Sequence, residues 1–128
     1  MIAAEKRPTD AELEILAILW QRGPSTVRQV HQQLNEQRKS GYTTVLKLMQ
    51  IMTDKGLVRR DETVRPQVYR AVRSEKNTQR QLLRDLLDRA FSGSPSSLVL
   101  QALSAKKTTP EERQRIRALL DRLEEGTP

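Results

Sequence analysis

Residues 38–73 carry Arg38, Lys39, Lys47, Lys55, Arg59, Arg60, Arg65, Arg70 and Arg73 against Asp54, Asp61 and Glu62, a net +6 of the +7 on the whole chain. Cations this concentrated attract a polyanion, and nucleic acid is the commonest one. Composition alone equally allows a solvated basic surface, so the positions of particular side chains carry more weight. Thr43, Lys47 and Gln50 recur on one side of a helical repeat, with Tyr42 and Thr44 at its N-terminal end. Threonine can meet a thymine methyl or a base donor, and lysine can donate to guanine acceptors. The Tyr42 hydroxyl suits a phosphate and its ring suits a sugar. Ser25, Thr26 and Arg28 open another helix, whose unpaired amides and guanidinium suit a phosphate. Arg65 stands at the tip of a polar stretch, where it suits the DNA backbone or minor groove. The bland readings are a half-buried core ring for Tyr42, a backbone-bonding helix start for Thr44 and a solvated charge for Lys47. Arg59, Arg60 and Arg70 are weaker candidates, because alternate strand residues point to opposite faces.

Catalytic chemistry finds little to use. The chain has no cysteine and a single histidine, His31, with no paired carboxylate at motif spacing. His31 reads as a half-exposed helix residue. There is no Gly-rich phosphate loop. Asp10, Glu12 and Glu14 suit the positive end of a helix better than a metal. We therefore expect no enzyme, no cofactor, no metal and no disulfide.

These side chains need elements to hold them. Thr9-Asp10-Ala11-Glu12 is a capping box opening a helix that stops at Gly23-Pro24. Ser25 or Thr26 caps a second helix with Val27, Val30 and Leu34 on its apolar side. Asn35 to Gly41 is polar and reads as a turn. Tyr42 to Lys55 reads as a third helix, with Val45, Leu48, Met49 and Met52 as its buried stripe. After Gly56 the period changes to two β-prone runs, Leu57–Arg60 and Gln67–Val72, joined by Asp61 to Pro66. Three helices followed by a hairpin is the order of a winged helix-turn-helix.

The remainder reads as helices over 75–91, 96–103 and from the capping box Thr109-Pro110-Glu111-Glu112 onward, with the domain boundary near Arg73-Ser74. The fold class is thus mainly α. Residues 1–73 are expected to form a winged-helix DNA-binding domain of three helices and a β-hairpin wing. Residues 74–128 are expected to form a helical dimerisation domain. Hydrophobic residues make up 36% of the chain, with four aromatics: Trp20, Tyr42, Tyr69 and Phe91. Three short helices make a poor core alone, and a symmetric dimer would cover their leucines. Leu82, Leu86, Leu98, Leu100, Leu119 and Leu123 are the expected dimer contacts. The alternative is packing of these helices on the N-terminal domain of the same chain. No apolar run approaches membrane-spanning length and the N-terminus lacks a leader-like apolar stretch, so a cytoplasmic protein without a membrane partner is expected.

Thr26-Val27-Arg28-Gln29-Val30-His31, Tyr42-Thr43-Thr44-Val45, Lys55-Gly56-Leu57-Val58-Arg59-Arg60 and Val68-Tyr69-Arg70, in this order, resemble the penicillinase-repressor family. The likeness runs from about Thr9 to Leu123. It implies a homodimeric repressor with a palindromic double-stranded DNA operator, and a regulatory protease as a further partner. Penicillin-responsive members are cleaved at an Asn-Phe bond in the dimerisation helix. Gln101-Ala102 aligns there, which argues against induction by that cleavage. Copper-responsive members use cysteines that this chain lacks. The wing has Pro66 and no glycine. Two other functions fit a winged helix: a protein-interaction module and a small-molecule-sensing regulator.

Overall fold

Helix α1 (Asp10–Arg22) begins where Thr9 and Glu12 satisfy each other's backbone amides. Thr9 Oγ1 accepts from the Glu12 N–H at 3.2 Å, and Glu12 Oε1 accepts from the Thr9 N–H at 2.9 Å. The helix ends at Gly23, whose φ of +91° is one that L side chains rarely adopt. A two-residue strand, β1 (Ser25–Thr26), leads into α2 (Val27–Asn35), and the cap is Thr26 rather than Ser25. Ser25 is fully buried, and its hydroxyl donates to the Gly23 carbonyl at 2.8 Å. After the turn comes α3 (Tyr42–Asp54). Gly56, at φ +78°, redirects the chain into β2 (Val58–Asp61), which pairs with β3 (Val68–Ala71). The computed structural model describes residues 6–126.

The antiparallel sheet has the order β1-β3-β2. The β1 pairing, Ser25 to Tyr69 and Thr26 to Val68, ties the start of α2 to the base of the wing. Strand alternation puts Val58 and Tyr69 into the core, while Arg59 and Arg70 stand directly opposite each other on the exposed face. The core gathers Ile15, Leu16, Ile18 and Leu19 of α1, Val27, Val30 and Leu34 of α2, and Val45, Met49 and Met52 of α3 under this sheet. Leu48, expected in the α3 stripe, is only partly buried against it. This is a winged helix, mainly helical as expected.

One ion pair locks α1 to α3. Lys55, just after α3, reaches Glu12 at 2.6 Å and the Arg7 carbonyl at 3.0 Å. Glu12 is 2% exposed. It therefore serves as cap and counter-ion at once.

Beyond β3 comes α4 (Glu75–Ala90), started by Ser74, whose hydroxyl accepts from the Asn77 N–H at 3.1 Å. Residues through Asp85 belong to one compact unit and residues from Leu86 to a second. Within the first, the Trp20 indole donates to the Arg73 carbonyl at 2.9 Å and Arg7 pairs with the buried Asp85 at 2.9 Å. The second unit holds the end of α4, the break at Ser92 and Gly93, α5 (Pro95–Ala105) and α6 (Pro110–Glu125). Ser94 and Thr109 cap these two helices through the Ser97 and Glu112 amides. Neither α5 nor α6 buries a residue. Val99, Leu100, Leu103, Leu119, Leu120 and Leu123 are all exposed.

Candidate nucleic-acid interface

Helix α3 divides cleanly. Val45, Met49 and Met52 are fully buried, which fixes the helix's rotation about its own axis. Thr43, Thr44, Lys47 and Gln50 are consequently exposed on the other side. Tyr42 is 45% exposed, and its ring meets His31 edge to face at a centroid distance of 5.7 Å. The half-buried reading of Tyr42 is thus only partly right: one part of the ring packs while much of it stays open.

Three of the sequence-derived candidates, Thr26, Arg28 and Tyr42, line one hollow of about 450 Å³ with Leu46, Gln67 and Tyr69. The β1–β3 pairing brings the α2 start and the wing base together here. Thr26 takes part through its position. Its hydroxyl oxygen accepts from the Gln29 N–H at 3.1 Å, which leaves the hydroxyl proton to donate, while Gln29 Oε1 accepts from the Thr26 N–H at 2.9 Å. Arg28 is exposed beside it. Gln67 was missed by sequence reasoning. A glutamine at the start of a β-prone run gives no signal until the fold places it on the lining of the hollow that Tyr42 shares.

Arg65 lies on the exposed loop between β2 and β3, as expected. Its neighbours are arranged electrostatically. Asp61 accepts from the Thr63 hydroxyl at 2.6 Å and the Thr63 N–H at 2.9 Å. These two bonds, with a smaller contribution from Arg70, hold its carboxyl below the usual aspartate value. Hydrogen bonding to Tyr69, and then to Glu62 at 2.9 Å, raises the Arg60 guanidinium above its usual value.

Ion pairs thin out the basic segment. Lys55 is neutralised by Glu12, Arg38 by Glu14 at 3.1 Å and Arg60 by Glu62. Lys39, Lys47, Arg59, Arg65, Arg70 and Arg73 make no ion pair with another described residue. His31, read as an unremarkable helix position, is within 2.7 Å of the Ser40 carbonyl.

No described helix is long and apolar enough to cross a membrane. The penicillinase repressor family profile matches residues 8–122. In two strains of Mycobacterium tuberculosis, the transcriptional regulator BlaI is 32% identical over 119 residues, spanning 91% of this chain and 85% of that protein. With a winged helix whose third helix exposes a polar face, and a match of this extent, the chain belongs to the penicillinase repressor family and is a transcriptional repressor rather than an enzyme.

Proposed function

We propose that this chain represses transcription as a homodimer on a pseudo-palindromic duplex operator. Helix α3 enters the major groove, with Thr43, Thr44 and Lys47 at base edges. Thr26, Arg28 and Tyr42 hold phosphate at the hollow by the wing base, and Arg65 reaches the backbone beyond. Residues 1–73 serve as the DNA-binding domain and 74–128 as the dimerisation domain, joined across the two-fold by Leu82, Leu86, Leu98, Leu100, Leu119 and Leu123. The observation that carries the DNA reading is the exposed polar side of α3, contiguous in sequence with Tyr42 at the hollow where Arg28 stands. A protein-docking surface would favour apolar groups there. What supports dimerisation is that α5 and α6 bury none of their apolar side chains within the chain.

Selection of duplexes from a randomised pool, followed by titration at several salt concentrations, tests this. A pseudo-palindrome should emerge, with half-site centres roughly one helical turn or a small multiple apart. The logarithm of affinity should fall against the logarithm of salt with a slope on the order of −5 to −9 for the dimer. Arg65→Ala should weaken all duplexes alike and make that slope shallower. A slope near zero would remove the basic surface from consideration.

A further inference from the structure

Helix α3 starts differently from the other described helices. Helices α1, α2, α5 and α6 have a side-chain cap from Thr9, Thr26, Ser94 or Thr109, and Ser74 plays this part for α4. The cap position of α3 is Gly41, which offers no side chain to its first-turn amides. Glycine is only slightly less favourable than serine at a helix cap, but it leaves these amides without a side-chain partner, and this start carries the residues that would read DNA.

Groups from α2 hold the preceding residue instead. The Ser40 carbonyl lies 2.7 Å from His31 Nε2. A carbonyl only accepts, so Nε2 carries the proton and donates. On the other side of Ser40, its N–H donates to Asn35 Oδ1 at 2.9 Å. That bond fixes the orientation of the Asn35 amide and sets its Nδ2 3.0 Å from His31 Nε2. Since Nε2 is already a donor, this last contact lies beside the clamp and adds no second hydrogen bond. Both peptide groups flanking Ser40 are thus held by side chains one helical turn apart on α2. The same imidazole meets the Tyr42 ring edge to face, at an interplanar angle of 85°. One side chain therefore grips the chain just before α3 and the first residue within it.

We propose that His31 is a positioning residue that replaces the missing cap: by holding Ser40 and Tyr42 it fixes the first turn of α3, and with it sequence discrimination on DNA. This rests on the reading of α3 as the DNA-recognition helix. His31 is partly buried behind Tyr42 and is assigned no DNA contact of its own. Its loss should therefore affect choice among sequences more than general attraction to phosphate.

The full-length chain and its variants are titrated with a duplex that the wild type selects from a randomised pool, and with an unselected duplex of equal length. His31→Ala should weaken the selected duplex about tenfold, the scale of one net hydrogen bond with its attached ring contact. Affinity for the unselected duplex should stay within about twofold, with the same salt slope. His31→Phe keeps a ring against Tyr42 without the Ser40 bond and should fall between. Gly41→Ser supplies the absent cap. Gly41 has φ −70° and ψ 148°, and a Cβ there would meet nothing closer than Thr44 Oγ1 at 3.9 Å. Without DNA, amide exchange at Val45, whose N–H donates to the Gly41 carbonyl at 3.1 Å, should quicken about tenfold in His31→Ala and return part of the way toward the wild-type rate when Gly41→Ser is added. A wild type that binds a selected duplex, with His31→Ala weakening both duplexes equally or leaving first-turn exchange unchanged, overturns this inference alone. A wild type that enriches no duplex overturns the DNA reading and this inference with it.

Discussion

Glu12 and Lys55 illustrate how a single charge can be withdrawn from the surface and used inside. Because Lys55 is paired with a buried carboxylate, its role is to hold α3 against α1. Lys55→Met strands Glu12 without its cation and should cost about 3 kcal/mol in urea unfolding. The double variant with Glu12→Gln should recover part of that loss. A cost below about 0.5 kcal/mol would place the pair among exposed ion pairs of little consequence. Asp61 provides a second case, governed by pH. Its carboxyl titrates below the usual aspartate value because Thr63 bonds the charged form. The Thr63 bonds therefore stabilise the folded wing at any pH above the unfolded-state value, about 3.9. That contribution is lost as pH falls through the lower folded-state value. Protection of the Thr63 amide relative to its intrinsic exchange should fall over that acid range, and Asp61→Asn should flatten the dependence. A profile identical in the two proteins would show that the turn does not depend on the carboxylate.

Among the elements, α3 is the one whose two sides can be separated by mutation. Thr44→Ala and Lys47→Ala should each cost about 1–3 kcal/mol on the selected operator. Thr44→Ala should barely alter non-specific binding, since threonine releases no counter-ions, whereas Lys47→Ala should lower it slightly. Unchanged operator affinity in both would move base reading from α3 to the wing. The division of α3 was legible in the sequence because Val45, Met49 and Met52 recur at helical spacing and leave Thr43, Lys47 and Gln50 opposite. Caps were legible for the same local reason: Thr9 and Thr109 each stand three residues before a glutamate. β1 was not, because two residues carry no period and their strand geometry comes from pairing with β3, more than forty residues on in the chain. The part played by His31 was hidden too. Its partners are a main-chain carbonyl and a ring across a turn, and neither leaves a trace in residue type. Charge counting erred in a related way, since Glu12 and Glu14 on α1 neutralise Lys55 and Arg38 from outside the basic segment.

At the level of the whole molecule, the distribution of apolar surface is uneven. The winged helix buries most of its large aliphatic side chains, with Ile51, Val64 and Val72 as exceptions, whereas Leu100 is 66% and Leu123 60% exposed in the single chain. Full burial of one such leucine contributes about 1.5–3 kcal/mol. Light scattering at micromolar concentration should therefore report a dimer. Leu100→Asp combined with Leu123→Asp should yield a monomer that still shows the helical and sheet signals of the winged helix. An intact chain that is monomeric at that concentration would end the dimer proposal. Truncation after Arg73 should likewise give a monomer with much weaker operator binding. Trp20 offers a way to follow such changes without a label. It is the only tryptophan in the chain, and its indole N–H is held by the Arg73 carbonyl, where the wing gives way to α4. Tryptophan fluorescence, excited apart from that of Tyr42 and Tyr69, thus originates from a single position, at the seam between the last strand and the helix that follows it. In the proposed dimer, a change at that seam on docking to two half-sites should shift the emission of this indole, which also packs against the core.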